Sequence, residues 1–231
     1  MGKVAEVLDE IVASAQNVRE AKQQGRVKVP PPVSPKGYQG FLIVHTKKAA
    51  IGLGYEHGVG MAIRVLGMHP DGSPLLSAPV VVSIKKASIG LAMGINTVYQ
   101  VLLFEDSELL EKLISSPEAI MGPEFEVAGL ANVTKPDTSE QDANKHKVYM
   151  SAIQGGVRIH PISLSVSDSL MLVDASLYGG TLSTDWDLMR EVYGGQTPSA
   201  LDCLRGQVPV PLAAAATMLE LGKSLVGIFS Q

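Results

Sequence analysis

At 231 residues, with 45% hydrophobic but only 5% aromatic side chains and 23 glycines, the chain has room for one large domain or two small ones, filled by closely packed aliphatic and small groups. Nineteen basic against 23 acidic residues leave a net charge of -4, which excludes a chain-wide nucleic-acid footprint. The single Cys203 excludes an internal disulfide, a thiol zinc site and a redox pair, so a reducing compartment is the economical expectation.

Val4, Leu8, Ile11, Val12, Ala15 and Val18 recur at spacings of three and four, with Glu6, Asp9, Glu10 and Gln16 outside the stripe. This spacing predicts an amphipathic helix ending near Gly25. The same acids break the first apolar stretch, so no secretory signal is expected. Residues 29–35 hold four prolines in seven and read as a rigid, extended connector, and Pro32-x-x-Pro35 lacks the basic flank of a peptide ligand.

Strands are predicted over 41–46, 50–55, 58–68, 80–85 and 89–104, with a hairpin turn at His69-Pro70-Asp71-Gly72. Glycines 52, 54, 58, 60, 90 and 94 inside them permit bulges and close backbone approach, which favours a tightly curved sheet. The uncharged run 87–104 carries Ser88, Asn96, Thr97 and Gln100 and reads as strand, not as a membrane span. Asp106 or Ser107 caps a short helix that turns Leu109, Leu110, Leu113 and Ile114 inward and stops at Pro117; residues 135–147 read as a solvated loop. Ile162, Leu164 and Val166 alternate with Ser163, Ser165 and Ser167, predicting a hairpin with one wet face that turns at Asp168-Ser169 and returns over 170–177. Thr184 with Asp187 forms a capping box for a helix closed by Gly194, Thr197-Pro198 opens another closed by Gly206, and a last helix spans about 211–225. The expected fold is α+β: a strongly coiled, mostly antiparallel β-sheet, barrel-like in the limit, flanked by N- and C-terminal helices. One domain covers 1–231, with an amphipathic basic helical arm at 1–28 and a Pro-rich connector at 29–36.

No set of residues carries recognisable chemistry. Gly52-x-Gly54-x-x-x-Gly58 has the wrong spacing for a phosphate loop, and His45, His57 and His69 lack a carboxylate or thiol companion. Asp137, Glu140, Asp142 and Asn144 lack the glycine a calcium loop needs, and Cys203 lies among Leu201 and Leu204 as a buried, inert thiol. No catalytic residue, metal or cofactor is expected, and the chain reads as a non-enzyme. Charge placement says more. Arg19, Lys22, Arg26, Lys28, Lys36, Lys47 and Lys48 face the single acid Glu20 between residues 19 and 48, a local +6 that leaves -10 for the rest. A basic segment beside an amphipathic helix attracts an anionic membrane surface; a solvated helix end is the plain alternative.

Residues 34–54, Ser-Pro-Lys-Gly-Tyr-Gln-Gly-Phe-Leu-Ile-Val-His-Thr-Lys-Lys-Ala-Ala-Ile-Gly-Leu-Gly, resemble the opening of the SYLF domain, a lipid-binding module also described as an actin-regulator domain. The order continues through Gly58-Val-Gly-Met-Ala-Ile-Arg64, Asp71-Gly72, Ser77-Ala-Pro79, the glycine-rich strand 89–104, Ser176-Leu177 with Gly179, Tyr193-Gly194, and Gly206 with Pro209 and Pro211. Leu76, Tyr178 and Met189 stand where the family usually carries Trp, Glu and Asn. The resemblance implies a peripheral protein of the cytoplasmic side of membranes that binds phosphoinositides or other anionic lipids. Val4, Leu8, Ile11, Val12 and Val18 would enter the headgroup boundary; Arg19, Lys22, Arg26 and Lys28 would meet phosphates; Lys47 and Lys48 match the family's basic position and would extend the patch. The alternative is a structural or scaffolding subunit docked on protein, actin filaments included.

Overall fold

The computed structural model describes residues 3–70, 73–115, 153–154, 157–158, 161–169 and 173–229. The first element is helix α1 (Lys3–Gln23), and Gly25 with φ +72° ends it as the sequence predicts. Its stripe of Val7, Leu8, Ile11, Ala15, Val18 and Ala21 is buried. The connector follows, held from beneath: buried Glu105 accepts from the Val33 and Ser34 amides at 3.1 and 3.0 Å, and the Tyr38 hydroxyl donates to the Pro30 carbonyl. The Gly37 amide donates to the Ser34 carbonyl at 2.9 Å, so residues 34–37 make a turn and Pro32-x-x-Pro35 is not one extended ligand.

Two long strands then dominate. β1 (Gly40–Met68) runs unbroken through the gaps expected at 47–49 and 56–57, and β3 (Val80–Phe104) runs unbroken through 86–88. The charged residues that look like breaks find cross-strand partners: Glu56 lies opposite Lys86, with Lys86 Nζ 3.1 Å from the carboxylate. β2 (Pro74–Leu76) pairs with the end of β1. Next come helix α2 (Ser107–Ser115), opened by Asp106 accepting from the Glu108 amide, and the short strands β4 (Ile153–Gln154) and β5 (Val157–Arg158), which pair with each other. Pro117, Asp71-Gly72 and the loop 135–147 with its acidic cluster lie outside the described residues.

β6 (Ile162–Ser169) and β7 (Val173–Thr184) correct the predicted hairpin. Both pair antiparallel with β3, Ser169 opposite Asn96 and Val173 opposite Met93, so they lie in line along one edge of β3 and not beside each other. Nor is the serine face of β6 wet. Ser163 and Ser165 are buried with Ile162, Leu164 and Val166, and Gln100 donates to the Ser163 hydroxyl at 2.6 Å. The main sheet has the order β2-β1-β3 with β6 and β7 on the far edge of β3; every pairing is antiparallel and the sheet is open, not a closed barrel.

Glycine explains the curvature. β1 doubles back about Gly52, so its two halves lie against each other: the Val65 amide donates to the Gln39 carbonyl at 2.9 Å, and a Cβ on Gly60 would sit 3.0 Å from the Ile43 carbonyl oxygen. At Gly58 a Cβ would overlap the His45 carbonyl, so only glycine permits the approach. Gly52 itself has φ +75° and marks the register shift between Ile51 and Leu53. At the base of this doubled ribbon every residue from 40 to 46 is buried, as expected of a strand covered on both faces.

The chain closes with helices α3 (Trp186–Val192), α4 (Ala200–Leu204), a 3-10 turn (Leu212–Ala214) and α5 (Ala215–Phe229), which packs against α1. The cap of α3 is Asp185, which accepts from the Leu188 amide at 3.0 Å, not the Thr184 box. Gly194 and Gly206, both at positive φ, follow α3 and α4 as predicted. Met189, at a position where the family usually has Asn, is fully buried with its sulfur at 3.3 Å from the Val81 amide.

Candidate lipid-binding surface

The spacing that marks α1 as amphipathic directs its apolar face onto the sheet. Leu8, Ile11 and Val18 belong to the core, and Val4 and Val12 are half-buried against it. Releasing α1 would wet this stripe and also the sheet face beneath it, and a bilayer could take up only the stripe. Four side chains, Val7, Leu8, Ile11 and Val18, at about 1.5–3 kcal/mol each, hold the helix down by roughly 6–12 kcal/mol as an upper bound. In this arrangement Leu8, Ile11 and Val18 are closed to a headgroup boundary, while Val4 and Val12 stay half-buried at the edge of the core.

The basic residues divide. Arg19 lays its stem on Gly227, where an added Cβ would come within 2.8 Å of its Cδ, and its Nε is buried without a hydrogen-bond partner among the described residues. Lys22 donates to the Gly227 carbonyl at 3.2 Å. These two fasten α1 to α5. Arg26 and Lys28 are exposed, as is Lys36 at the end of the connector; Arg26 donates to neutral Gln24 at 3.2 Å, and none of the three is ion-paired among the described residues. These three exposed cations lie between the end of α1 and the start of β1 in the chain.

Lys47 and Lys48 differ because adjacent strand residues face opposite ways. Lys48 is 4% exposed and so unavailable to a headgroup. Lys47 keeps half its side chain in solvent but sits 2.7 Å from Glu10, whose other oxygen lies 3.3 Å from His45 Nδ1. His45 stacks on Tyr99 with ring centroids 5.3 Å apart. Burial works to raise the Glu10 carboxyl, and the hydrogen bonds and charges of Lys47 and His45 outweigh it, leaving Glu10 below the usual carboxylate range. Lys47 is raised by the same contact. Tyr99 is raised by burial and by Asp168. This cluster ties α1 to β1.

A second surface was missed in the sequence. Where the ribbon doubles back, Ile51 is 83% exposed, Leu53 69% and Ile95 60%, with Tyr55 and Met93 about half exposed. The row is legible once the bend is known, since Lys47, Ala49, Ile51, Leu53, Tyr55 and His57 all face outward.

Among the described residues no three His, Cys, Asp or Glu side chains are grouped to hold a metal, and no helix is long and apolar enough to cross a membrane. Cys203 is fully buried and burial pushes its thiol up, as expected of an inert cysteine. The sequence model of the Ysc84 family, described as Las17-binding protein actin regulator, matches residues 85–224, from within β3 to within α5. No curated protein and no solved structure is matched.

Proposed function

The chain belongs to the Ysc84 (SYLF) family of actin regulators, and from that premise we propose that it is a non-enzymatic, peripheral lipid-binding protein that docks on anionic membranes through a cationic strip. The observation that carries this reading is the exposed trio Arg26, Lys28 and Lys36, unpaired among the described residues of a chain whose net charge is -4. Phosphates would be met by these side chains while α1 stays on the sheet. Among anionic lipids phosphoinositides are the expected ligand, because a multiply charged headgroup rewards several cations in one exposed stretch of chain. Flotation with neutral vesicles and with anionic vesicles, the latter with and without phosphoinositide, at about 50 and 300 mM salt tests it. Binding to anionic vesicles that fades with salt, and is lost on Arg26→Glu, Lys28→Glu and Lys36→Glu, is expected. Unchanged flotation of that triple variant would overturn the assignment. Arg19 and Lys22 are left intact because they hold α1 to α5.

A second reading has its own observation. Leu212, in the 3-10 turn, is almost fully exposed, and Leu219 and Val226, seven residues apart on α5, are exposed apolar side chains of the kind a partner protein would cover. The family's description as Las17-binding actin regulators makes an actin-associated protein the natural partner. Co-sedimentation with actin filaments that survives the triple charge reversal but not Leu212→Asp with Leu219→Asp would favour this reading.

A further inference from the structure

Among the described residues, the doubled ribbon presents its most exposed aliphatic side chains at the bend, and their order away from it is graded. Ile51, Leu53 and Met93 stand at the apex. Two residues away lie Ala49 opposite Ile95 on one arm and Tyr55 opposite Ala87 on the other. Two residues further come Lys47 opposite Thr97, and His57 opposite Lys85, with Lys47, His57 and Lys85 exposed. His57 stacks on Tyr55 at 5.7 Å. On the Tyr55 arm the sequence of zones is hydrocarbon, then amphipathic aromatic, then cation; on the other arm hydrocarbon gives way directly to Lys47 and Thr97.

From the ends of this gradient we infer that the apex is a wedge that inserts into the outer part of an anionic bilayer. At about 3.3 Å per residue the apolar zone is roughly 7 Å deep, which matches the 5–10 Å to which interfacial elements sink. Tyr55 and His57 then fall at headgroup depth, where amphipathic rings gather, and Lys85 reaches the phosphates with its stem along apolar surface, beside the half of Lys47 that its contact with Glu10 leaves in solvent. Charge agrees with this occupant. Of the four lysines in the paired segments 45–58 and 83–97, Lys86 is paired with Glu56, Lys47 with Glu10 and Lys48 is buried, so the charge presented to a bilayer is that of exposed Lys85 and of the Lys47 side chain, half of which stays in solvent; Asp168, on the neighbouring strand, lies beside Tyr99.

This wedge rests on the lipid-binding reading but names a different contact. The cationic strip precedes β1 and the apex lies eleven residues along it, up to about 36 Å away. Exposed Glu6, Asp9 and Glu20 on α1 discourage a side-on approach between them.

The test is flotation of the full chain carrying Ile51→Ser, Leu53→Ser and Ile95→Ser with phosphatidylcholine vesicles containing phosphatidylserine. Partition should fall at least about tenfold at high salt, where charge attraction is screened, with the melting temperature unchanged. Independently, Leu53→Trp in a Trp186→Phe background should shift its emission to the blue on adding vesicles and be quenched by labels placed shallow in the acyl chains. Loss of flotation on charge reversal at Arg26, Lys28 and Lys36 but not in the serine triple variant would overturn the wedge and leave the strip standing. The reverse would retain the wedge and remove the strip. A wild-type chain that floats with no vesicle would overturn both, and a serine variant altered only in oligomeric state would replace the bilayer with a second copy of the chain.

Discussion

The base and the apex of β1 are built from the same kinds of residue and meet opposite environments. Phe41 to Thr46 are buried on both faces, because α1 packs over the sheet and the returning half of the strand lies against it at Gly58 and Gly60. Ile51 and Leu53, no less apolar, stand in solvent at the bend. Coverage, not hydrophobicity, decides burial here. Stability therefore resides at the base, while the apex holds apolar surface whose retention folding does not require.

The widest separation should come from one substitution made at both ends. Ile43→Ala empties a fully buried site and should cost about 2–5 kcal/mol, whereas Ile51→Ala should stay within about 0.5 kcal/mol by thermal or urea denaturation. Equal losses would mean that the apex is covered in solution. A narrower separation is expected for glycine. Gly58→Ala drives a methyl into the His45 carbonyl and forces the two halves of β1 apart, at about 1–3 kcal/mol. Gly52→Ala meets no atom within 4 Å and pays only for its backbone angle of +75°, about 1 kcal/mol. If Gly52→Ala proved the costlier, the bend and not the close approach would be what holds the ribbon doubled.

Much of this architecture was legible in the residues. The spacing from Leu8 to Val18 located α1, and glycines such as 52, 58, 60 and 94 inside the strands permitted the close backbone approach of a tightly curved sheet. What stayed hidden depends on partners. Lys86 and Glu56 look like strand breakers until they are placed opposite each other, and the Asp168-Ser169 signal reads as a hairpin turn because a period of two does not say which strand lies alongside. The candidate site was half legible for a similar reason. Exposed Arg26 and Lys28 follow from their position after the helix, but an apolar stripe has the same spacing whether it faces a bilayer or a core, so the buried fate of Ile11 and Val18 could not be read from it. Lys47 and Lys48 are neighbours in sequence and opposites in exposure.

Between base and apex, Glu10 is the polar tie that holds α1 to the outward-turning part of β1, and it offers the smallest but most specific test. Its carboxyl is depressed, with Lys47 and His45 on β1 prevailing over burial; Tyr99 on β3, Glu6 on α1 and Asp168 on β6 complete the titratable surroundings. A group whose folded value lies below its unfolded value of about 4.3 contributes stability above that value and loses it as pH falls through the folded one. Wild-type protein should therefore lose more melting temperature than Glu10→Gln between about pH 6 and 3, and the two curves should converge at the acid end. At neutral pH the variant should be weaker by at most about 1 kcal/mol, since half of Lys47 is in solvent and the pair is screened. Added salt should shrink the difference further. Parallel curves would show that the carboxyl gains nothing from its partners, and that α1 is held near the bend by Leu8 and Ile11 alone.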